Sequence, residues 1–241
     1  MSIAENFEII ADEVYAKGKK DEYDKFWDNY QTKTNFSSMF YYWPDECIYP
    51  KKAIKPTGTA ANMFFGCGIK GSLTERFRNC GMELDTSGAN NLNGCFQACY
   101  HLTHTPTLDL QGLRAGSTIE NLYYGCRQLI EASLKNVSET FKFTSVFYVC
   151  DSLEEFTIDG TIGQSGFDVK SCKKMSVASL LSILTALSKE SSVASGKSVT
   201  FADNHLAIIE DNEACLTQLS NAAGAGWSIF FGTTPYEGQE G

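Results

Sequence analysis

The sequence predicts an α/β fold, namely a right-handed solenoid with a parallel sheet, an N-terminal helical cap and C-terminal βα units. Three observations lead to this expectation. A cysteine-centred motif recurs at nearly constant intervals, a stretch of alternating apolar and polar residues follows each clear copy, and from residue 177 onward helices alternate with strands. The 241 residues, 43% of them hydrophobic, can bury the core that such a fold requires.

The recurring motif is an aromatic residue, two variable residues, a cysteine, two variable residues and a leucine. Its clearest copies are FQACYHL at 96–102, YYGCRQL at 123–129 and FYVCDSL at 147–153. Successive cysteines from Cys99 to Cys172 are 27, 24 and 22 residues apart, which is typical of a repeat and not of a disulfide framework. We therefore expect reduced, buried thiols among the core positions. These positions are Phe64, Cys67, Phe96, Cys99, Leu102, Tyr123, Cys126, Leu129, Phe147, Cys150, Leu153 and Cys172.

A short strand is predicted after each motif. Leu110, Leu134 and Ile158 are 24 residues apart and lie in segments that alternate with period two, and Leu84 lies 26 residues before Leu110. We expect these side chains to point into the core at equivalent positions of parallel strands.

The motif resembles the BspA-type leucine-rich repeat, in which Phe-x-x-Cys-x-x-Leu precedes a short strand. The resemblance covers residues 63–175. It implies a leucine-rich-repeat-like solenoid and a surface or adhesion protein that binds other macromolecules, and it identifies no particular ligand.

The two ends of the chain differ from the repeat. Residues 1–60 are predicted to form a helical and aromatic cap, and residues 61–241 to form the solenoid with its C-terminal helical turns, in one structural domain overall. An apolar seam follows helical spacing between Ile3 and Val14. It either covers the first turn or joins chains in a homo-oligomer. Near the other end, Val199, Phe201, Ile229 and Phe231 are expected to continue the parallel sheet.

Charge and hydrophobicity exclude several classes of partner. A net charge of −9 and a pI near 4.9 oppose phosphate binding, so no nucleic-acid partner is expected. No apolar stretch is long enough to span a bilayer, so no membrane insertion is expected. No secretory signal is visible in MSIAENFEII, so we expect a protein released by lysis or carried on a virion, or a cytoplasmic one, and not conventional secretion.

The sequence gives little support for catalytic or metal chemistry. Cys95, Cys99, His101 and His104 fall within ten positions, which leaves too little chain to wrap a tetrahedral zinc site. A catalytic cysteine is not expected, because the repeat motif accounts for five of the nine cysteines as core residues. We therefore predict no catalytic residues, no metal and no cofactor.

The outward face of the predicted strands is mostly acidic. Its members, which we call the strand face, are Glu83, Asp85, Asp109, Glu131, Lys135, Glu155 and Asp159. This face either keeps the sheet soluble or binds a basic partner, with calcium-assisted glycan contact as a further alternative.

These observations favour a non-enzymatic macromolecular recognition or adhesion protein whose partner is a protein or glycan on a cell surface. The first alternative is a phage tail-associated or other virion structural protein, since adhesion-type repeats are combined with an N-terminal seam and no visible signal. A hydrolase is the lesser alternative.

Overall fold

The computed structural model describes residues 35–42, 54–75, 83–189 and 196–237. Within them the chain has a mixed α/β fold with a curled parallel sheet. The strands are β1 (Gly71–Ser72), β2 (Leu102–His104), β3 (Leu108–Asp109), β4 (Thr118–Glu120), β5 (Glu131–Val137), β6 (Lys142–Thr144), β7 (Glu155–Gly160), β8 (Phe167–Asp168), β9 (Lys197–Phe201), β10 (Trp227–Phe231) and β11 (Thr234–Pro235). The helices are α1 (Val177–Ser188), α2 (His205–Glu210) and α3 (Glu213–Gly224).

Strand β5 is the centre of the largest sheet. Strands β2 and β3 follow one another along one edge of β5, β7 lies along the other edge, and β1 pairs with β2. All these pairings are parallel. A second, two-stranded parallel sheet joins β4 to β6, and a third sheet has the order β11-β10-β9-β8.

Five short turns lie one above the next beside these sheets, and we call them the turn stack. They comprise residues 38–42, 62–66, 94–98, 121–125 and 145–149. Backbone hydrogen bonds join each turn to the following one, as from the Phe64 amide to the Cys95 carbonyl (2.8 Å) and from the Phe96 amide to the Leu122 carbonyl (2.9 Å). Residues 38–42, expected to belong to the N-terminal cap, form the first of these turns.

Each turn begins and ends with a residue in the left-handed region. Two such residues, four positions apart, occur in every turn: Ser38 and Tyr42, Asn62 and Gly66, Gly94 and Ala98, Asn121 and Gly125, and Ser145 and Val149. Glycine and asparagine adopt this conformation readily, whereas other residues incur about 1–2 kcal/mol. The stacking contacts therefore hold Ala98 and Val149 in a conformation that their own side chains disfavour.

The first aromatic residue of each turn points into the core and stacks on its neighbours. The ring centroids of Phe40, Phe64, Phe96, Tyr123 and Phe147 are successively 4.9, 5.1, 5.7 and 5.7 Å apart, with interplanar angles between 4° and 16°. Such offset pairs add about 0.5–1.5 kcal/mol each to the free energy of area burial. This aromatic column fixes the spacing of the turns.

A column of thiols runs beside the aromatic column. Each thiol donates to the carbonyl oxygen of the preceding core aromatic residue, with distances of 3.0 Å from Cys99 to Phe64 and 2.9 Å from Cys126 to Phe96. The seven cysteines among the described residues are buried and form no disulfide. All twelve side chains assigned to the repeat core from the sequence are buried.

The register between β3 and β5 differs from the sequence-based expectation. Leu108, and not Leu110, lies level with Leu134. The reason is a bulge, because His104 pairs with Glu131 and four chain positions then match three on β5. Leu110 is still buried, two positions along the same face.

The parallel sheet does not continue into the C-terminal units as expected. Val199 and Phe201 lie in β9 and Ile229 and Phe231 in β10, which belong to the separate third sheet. The cause lies in α1, which packs along the outer edge of β7.

Two serine hydroxyls of α1 take the place of a further strand. Ser179 Oγ accepts a hydrogen bond from the Phe156 amide (2.7 Å), and Ser182 Oγ accepts one from the Ile158 amide (2.9 Å). Ser179 also donates to the Glu154 carbonyl (2.9 Å). The helix therefore satisfies edge groups that another strand would otherwise bind.

A buried histidine connects α2 to the last cysteine-centred turn. His205 Nδ1 accepts from the Ala202 amide (3.3 Å), and Nε2 lies 3.0 Å from the Cys172 carbonyl. This geometry requires the tautomer with a proton on Nε2. Burial lowers the pKa of His205, so the ring is held neutral.

The predicted helix from Ile3 to Val14, and with it both interpretations of the apolar seam, lies outside the described residues. Among the helices that the structure describes, none is long and apolar enough to cross a membrane.

We expect Ser179→Ala to lower the free energy of unfolding by about 1–3 kcal/mol, because it leaves the buried Phe156 amide without an acceptor. Ser220→Ala is the matched control, since that exposed hydroxyl bonds only within α3 to the Leu216 carbonyl. Urea unfolding of both variants measures the difference. Equal effects of the two substitutions would contradict the role given to Ser179.

We further expect native-state maleimide labelling to modify at most the two cysteines outside the described residues, Cys47 and Cys80. The other seven are buried, and burial raises the pKa of their thiols, to about 12 for Cys172. Mass spectrometry should show nine adducts after denaturation. Rapid native labelling of Cys99, Cys126 or Cys150 would disprove the thiol column.

Candidate functional site: an aromatic surface on the turn stack

A second row of aromatic residues faces solvent beside the core column. Each member directly follows a core aromatic residue, so the turn that directs one ring inward directs the next outward. The row consists of Tyr41, Phe65, Gln97, Tyr124 and Tyr148, in which Gln97 replaces the aromatic ring. Tyr41 stacks on Phe65 at 4.8 Å and Tyr124 on Tyr148 at 5.0 Å between ring centroids.

A cavity of about 340 Å³ lies at the position of Gln97, and we call it the aromatic cavity. Phe65 and Tyr124, the ringed neighbours of Gln97 in the row, both line it. Two exposed tyrosines, Tyr42 and Tyr100, also contribute to its lining. The remaining lining residues are Gln97, Ala98, Gly125, Arg127 and Val149.

Glycines allow the exposed tyrosines to lie against the backbone. A side chain on Gly66 would collide with the ring of Tyr42, and a Cβ on Gly125 would lie 3.6 Å from Cε1 of Tyr100. Both glycines have left-handed φ values, +62° and +78°. The same turn position therefore shapes the backbone and leaves room for a tyrosine from the preceding turn.

Arg127 is the only charged side chain that lines the aromatic cavity. It is exposed, and its guanidinium forms no ion pair with any residue that the structure describes. In a chain of net charge −9 this site is locally positive. Further along the row, Tyr148 lines a second cavity of about 300 Å³ in which Lys170 is already paired with Asp168 at 3.0 Å.

The structure brings together only part of the predicted strand face. Glu131 and Glu155 are directly opposite each other on β5 and β7, with His104 on the other side of Glu131. Glu83 and Asp85 flank Leu84, which bridges Ile54 and belongs to none of the named strands. Asp159 is exposed and lines an open cavity at the end of β7.

Cations dilute the acidic character of this face more than the sequence suggested. Lys135 pairs with Asp109 at 3.2 Å and Lys55 with Asp85 at 3.3 Å. Hydrogen bonds from Ser87 and the Lys55 ammonium hold the pKa of Asp85 below its ordinary value. The strand face is therefore not a uniform negative strip.

The expectation that Asp109 is exposed is wrong, because only 8% of the residue is accessible. The bulge at Asn136, whose φ is +59°, brings its amide within 2.7 Å of the carboxylate, which also accepts from the Gln111 amide (3.0 Å). Burial raises the pKa of Asp109, but these bonds and Lys135 outweigh burial, so the pKa lies below its usual value.

The cysteine and histidine string does not form a metal site. Cys95 and Cys99 are buried among the turns, whereas His101 is exposed and His104 faces the strand side. No cluster of three or more metal-binding side chains occurs within residues 35–42, 54–75, 83–189 and 196–237.

One arrangement superficially matches the order nucleophile, base and carboxylate. Thr103 Oγ1 lies 2.8 Å from His104 Nδ1, and His104 Nε2 lies 3.8 Å from a Glu131 oxygen. The second distance is too long for a hydrogen bond, and none of the three residues lines the aromatic cavity. The geometry does not favour a hydrolase.

Sequence reasoning identified the core aromatic positions but missed the outward row. The signal was present as paired residues, FF at 64–65, YY at 123–124 and FY at 147–148. The second member of each pair was not considered separately, because the repeat motif treats it as a variable position.

We expect Asp109→Asn to destabilise the protein by about 1.5–3 kcal/mol at pH 7, the usual contribution of a hydrogen bond to a charged group. Since the folded-state pKa is depressed, the stabilisation is present above the unfolded pKa of about 3.9 and is lost as pH falls below it. Urea unfolding at pH 7 and pH 3 should show the difference from wild type shrinking. Asp159→Asn is the exposed control, and an equal effect there would contradict the prediction.

Comparison of the chain with protein-family models, with curated proteins and with solved structures found no match. The functional argument therefore rests on the geometry of the described residues.

Proposed function

We propose that this chain is a non-enzymatic recognition protein that binds a protein or glycan on a cell surface through its outward aromatic row. The observation that carries the proposal is the row itself, in which rings from four turns are held in register around a cavity. In this proposal the stacked turns are repeats of the BspA leucine-rich type in a right-handed solenoid, and they act as a rigid support.

The distribution of exposed apolar side chains supports a binding role. Among the described residues, the large hydrophobic side chains that are strongly exposed are Tyr42, Tyr100, Tyr148 and Val177. The three tyrosines belong to this surface. Tyrosine offers a large rigid contact area at low entropic cost, and it is enriched among residues that dominate binding energy.

The strand face is the weaker candidate. Asp109 is buried and paired, and lysines neutralise part of the remaining charge. In our proposal it keeps an exposed sheet soluble. The virion alternative depends on residues 3–14, which lie outside the described residues, so no observation raises it above the leading proposal.

An array of printed glycans and purified cell-surface proteins tests this function. We expect the full chain to bind, and the double variant Tyr100→Ser with Tyr124→Ser to lose about tenfold or more in affinity, the loss typical of removing dominant contact residues. The matched control Glu131→Gln with Glu155→Gln alters the strand face and should bind like wild type.

Thermal unfolding should confirm that both double variants remain folded. Loss of binding only in the strand-face variant would transfer the site to that face. Failure of the wild-type chain to bind any printed glycan or protein would overturn the proposed function.

A further inference from the structure

We propose that the aromatic cavity binds a single pyranose ring that carries a carboxylate, as part of an acidic glycan, and that Arg127 contacts the carboxylate. This inference rests on the proposed function and specifies its ligand class.

The absence of a ring at position 97 creates a site with aromatic walls. Four of the five row positions carry aromatic rings, and the cavity lies where the fifth would be. Its volume of about 340 Å³ is at the small end of ligand pockets, which suits one ring and not an extended peptide segment. Phe65 and Tyr124 supply apolar surface for the C–H bonds of a pyranose.

Polar groups in the cavity are available to sugar hydroxyls. The side-chain amide of Gln97 and the hydroxyls of Tyr42 and Tyr100 form no hydrogen bond with any described residue. An amide supplies both donors and an acceptor, and a phenol supplies one donor and an acceptor. A ligand with an apolar face and a polar edge matches this combination better than a wholly apolar ligand does.

The single charge decides between possible ligands. Aromatic cages commonly bind quaternary ammonium groups, which the net charge of −9 would also attract. Arg127 opposes a cation inside the cavity itself. Its planar guanidinium instead matches a carboxylate, with which it forms two parallel hydrogen bonds. Asp151 occupies the equivalent position of the next turn, but no ion pair joins it to Arg127.

Isothermal titration of the full chain with trigalacturonate and with neutral galactotriose tests the inference. We expect wild type to bind trigalacturonate at least tenfold more tightly than galactotriose. Arg127→Gln should reduce the affinity for trigalacturonate by about tenfold and leave that for galactotriose unchanged, while Tyr124→Ala should abolish the binding of both.

Arg114→Gln is the matched control, because Arg114 is also exposed and the substitution removes the same charge outside the cavity. It should bind trigalacturonate like wild type. Equal losses in Arg114→Gln and Arg127→Gln would reduce the effect to net charge and overturn the inference. Tight binding of tetramethylammonium, or no binding of trigalacturonate by wild type, would also overturn it.

The two proposals fail separately. If the array shows binding that depends on Tyr100 and Tyr124 but trigalacturonate does not bind, recognition stands and the acidic-sugar assignment is wrong. If trigalacturonate binds with the expected dependence on Arg127, the ligand class is supported by a measurement that does not use the array.

Discussion

The architecture depends on how the backbone groups of the tight turns are satisfied. A turn that enters and leaves through left-handed residues cannot pair its own amides and carbonyls as a helix does, so it bonds to the turn above or below. Unpaired buried backbone groups cost about 1–3 kcal/mol each. This constraint sets the vertical spacing, and the inward ring, the thiol and the outward ring take their places from it.

The thiols show how one residue type serves two needs of the same position. A cysteine is small and apolar enough to fit between stacked rings, and its S–H group reaches a carbonyl such as that of Phe96. A serine would carry a more polar hydroxyl into the same position. The sequence pattern therefore predicted the buried cysteines correctly in kind, since few other side chains meet both conditions.

Other features could not be predicted from the sequence for definite physical reasons. Periodicity identified inward leucines, but the bulge before Leu108 shifts the register without changing which side chains face inward, so period two cannot detect it. The burial of Asp109 depends on the left-handed bulge at Asn136, a contact between residues 27 positions apart. The separate C-terminal sheet depends on α1, whose serines resemble ordinary helix residues until β7 lies beside them. The aromatic cavity arises from one glutamine among rings, which is visible only once five turns are aligned in space.

The closing of the β7 edge by Ser179 and Ser182 has a consequence for how such a chain can vary. Because the hydroxyls contact backbone amides and not particular side chains, α1 can end an array of any length. Duplication of one unit ahead of it would leave the terminating contacts chemically unchanged while adding another outward position to the surface. Size and ligand preference are thus separable properties in this design, since length is set by unit number and preference by which outward positions carry rings.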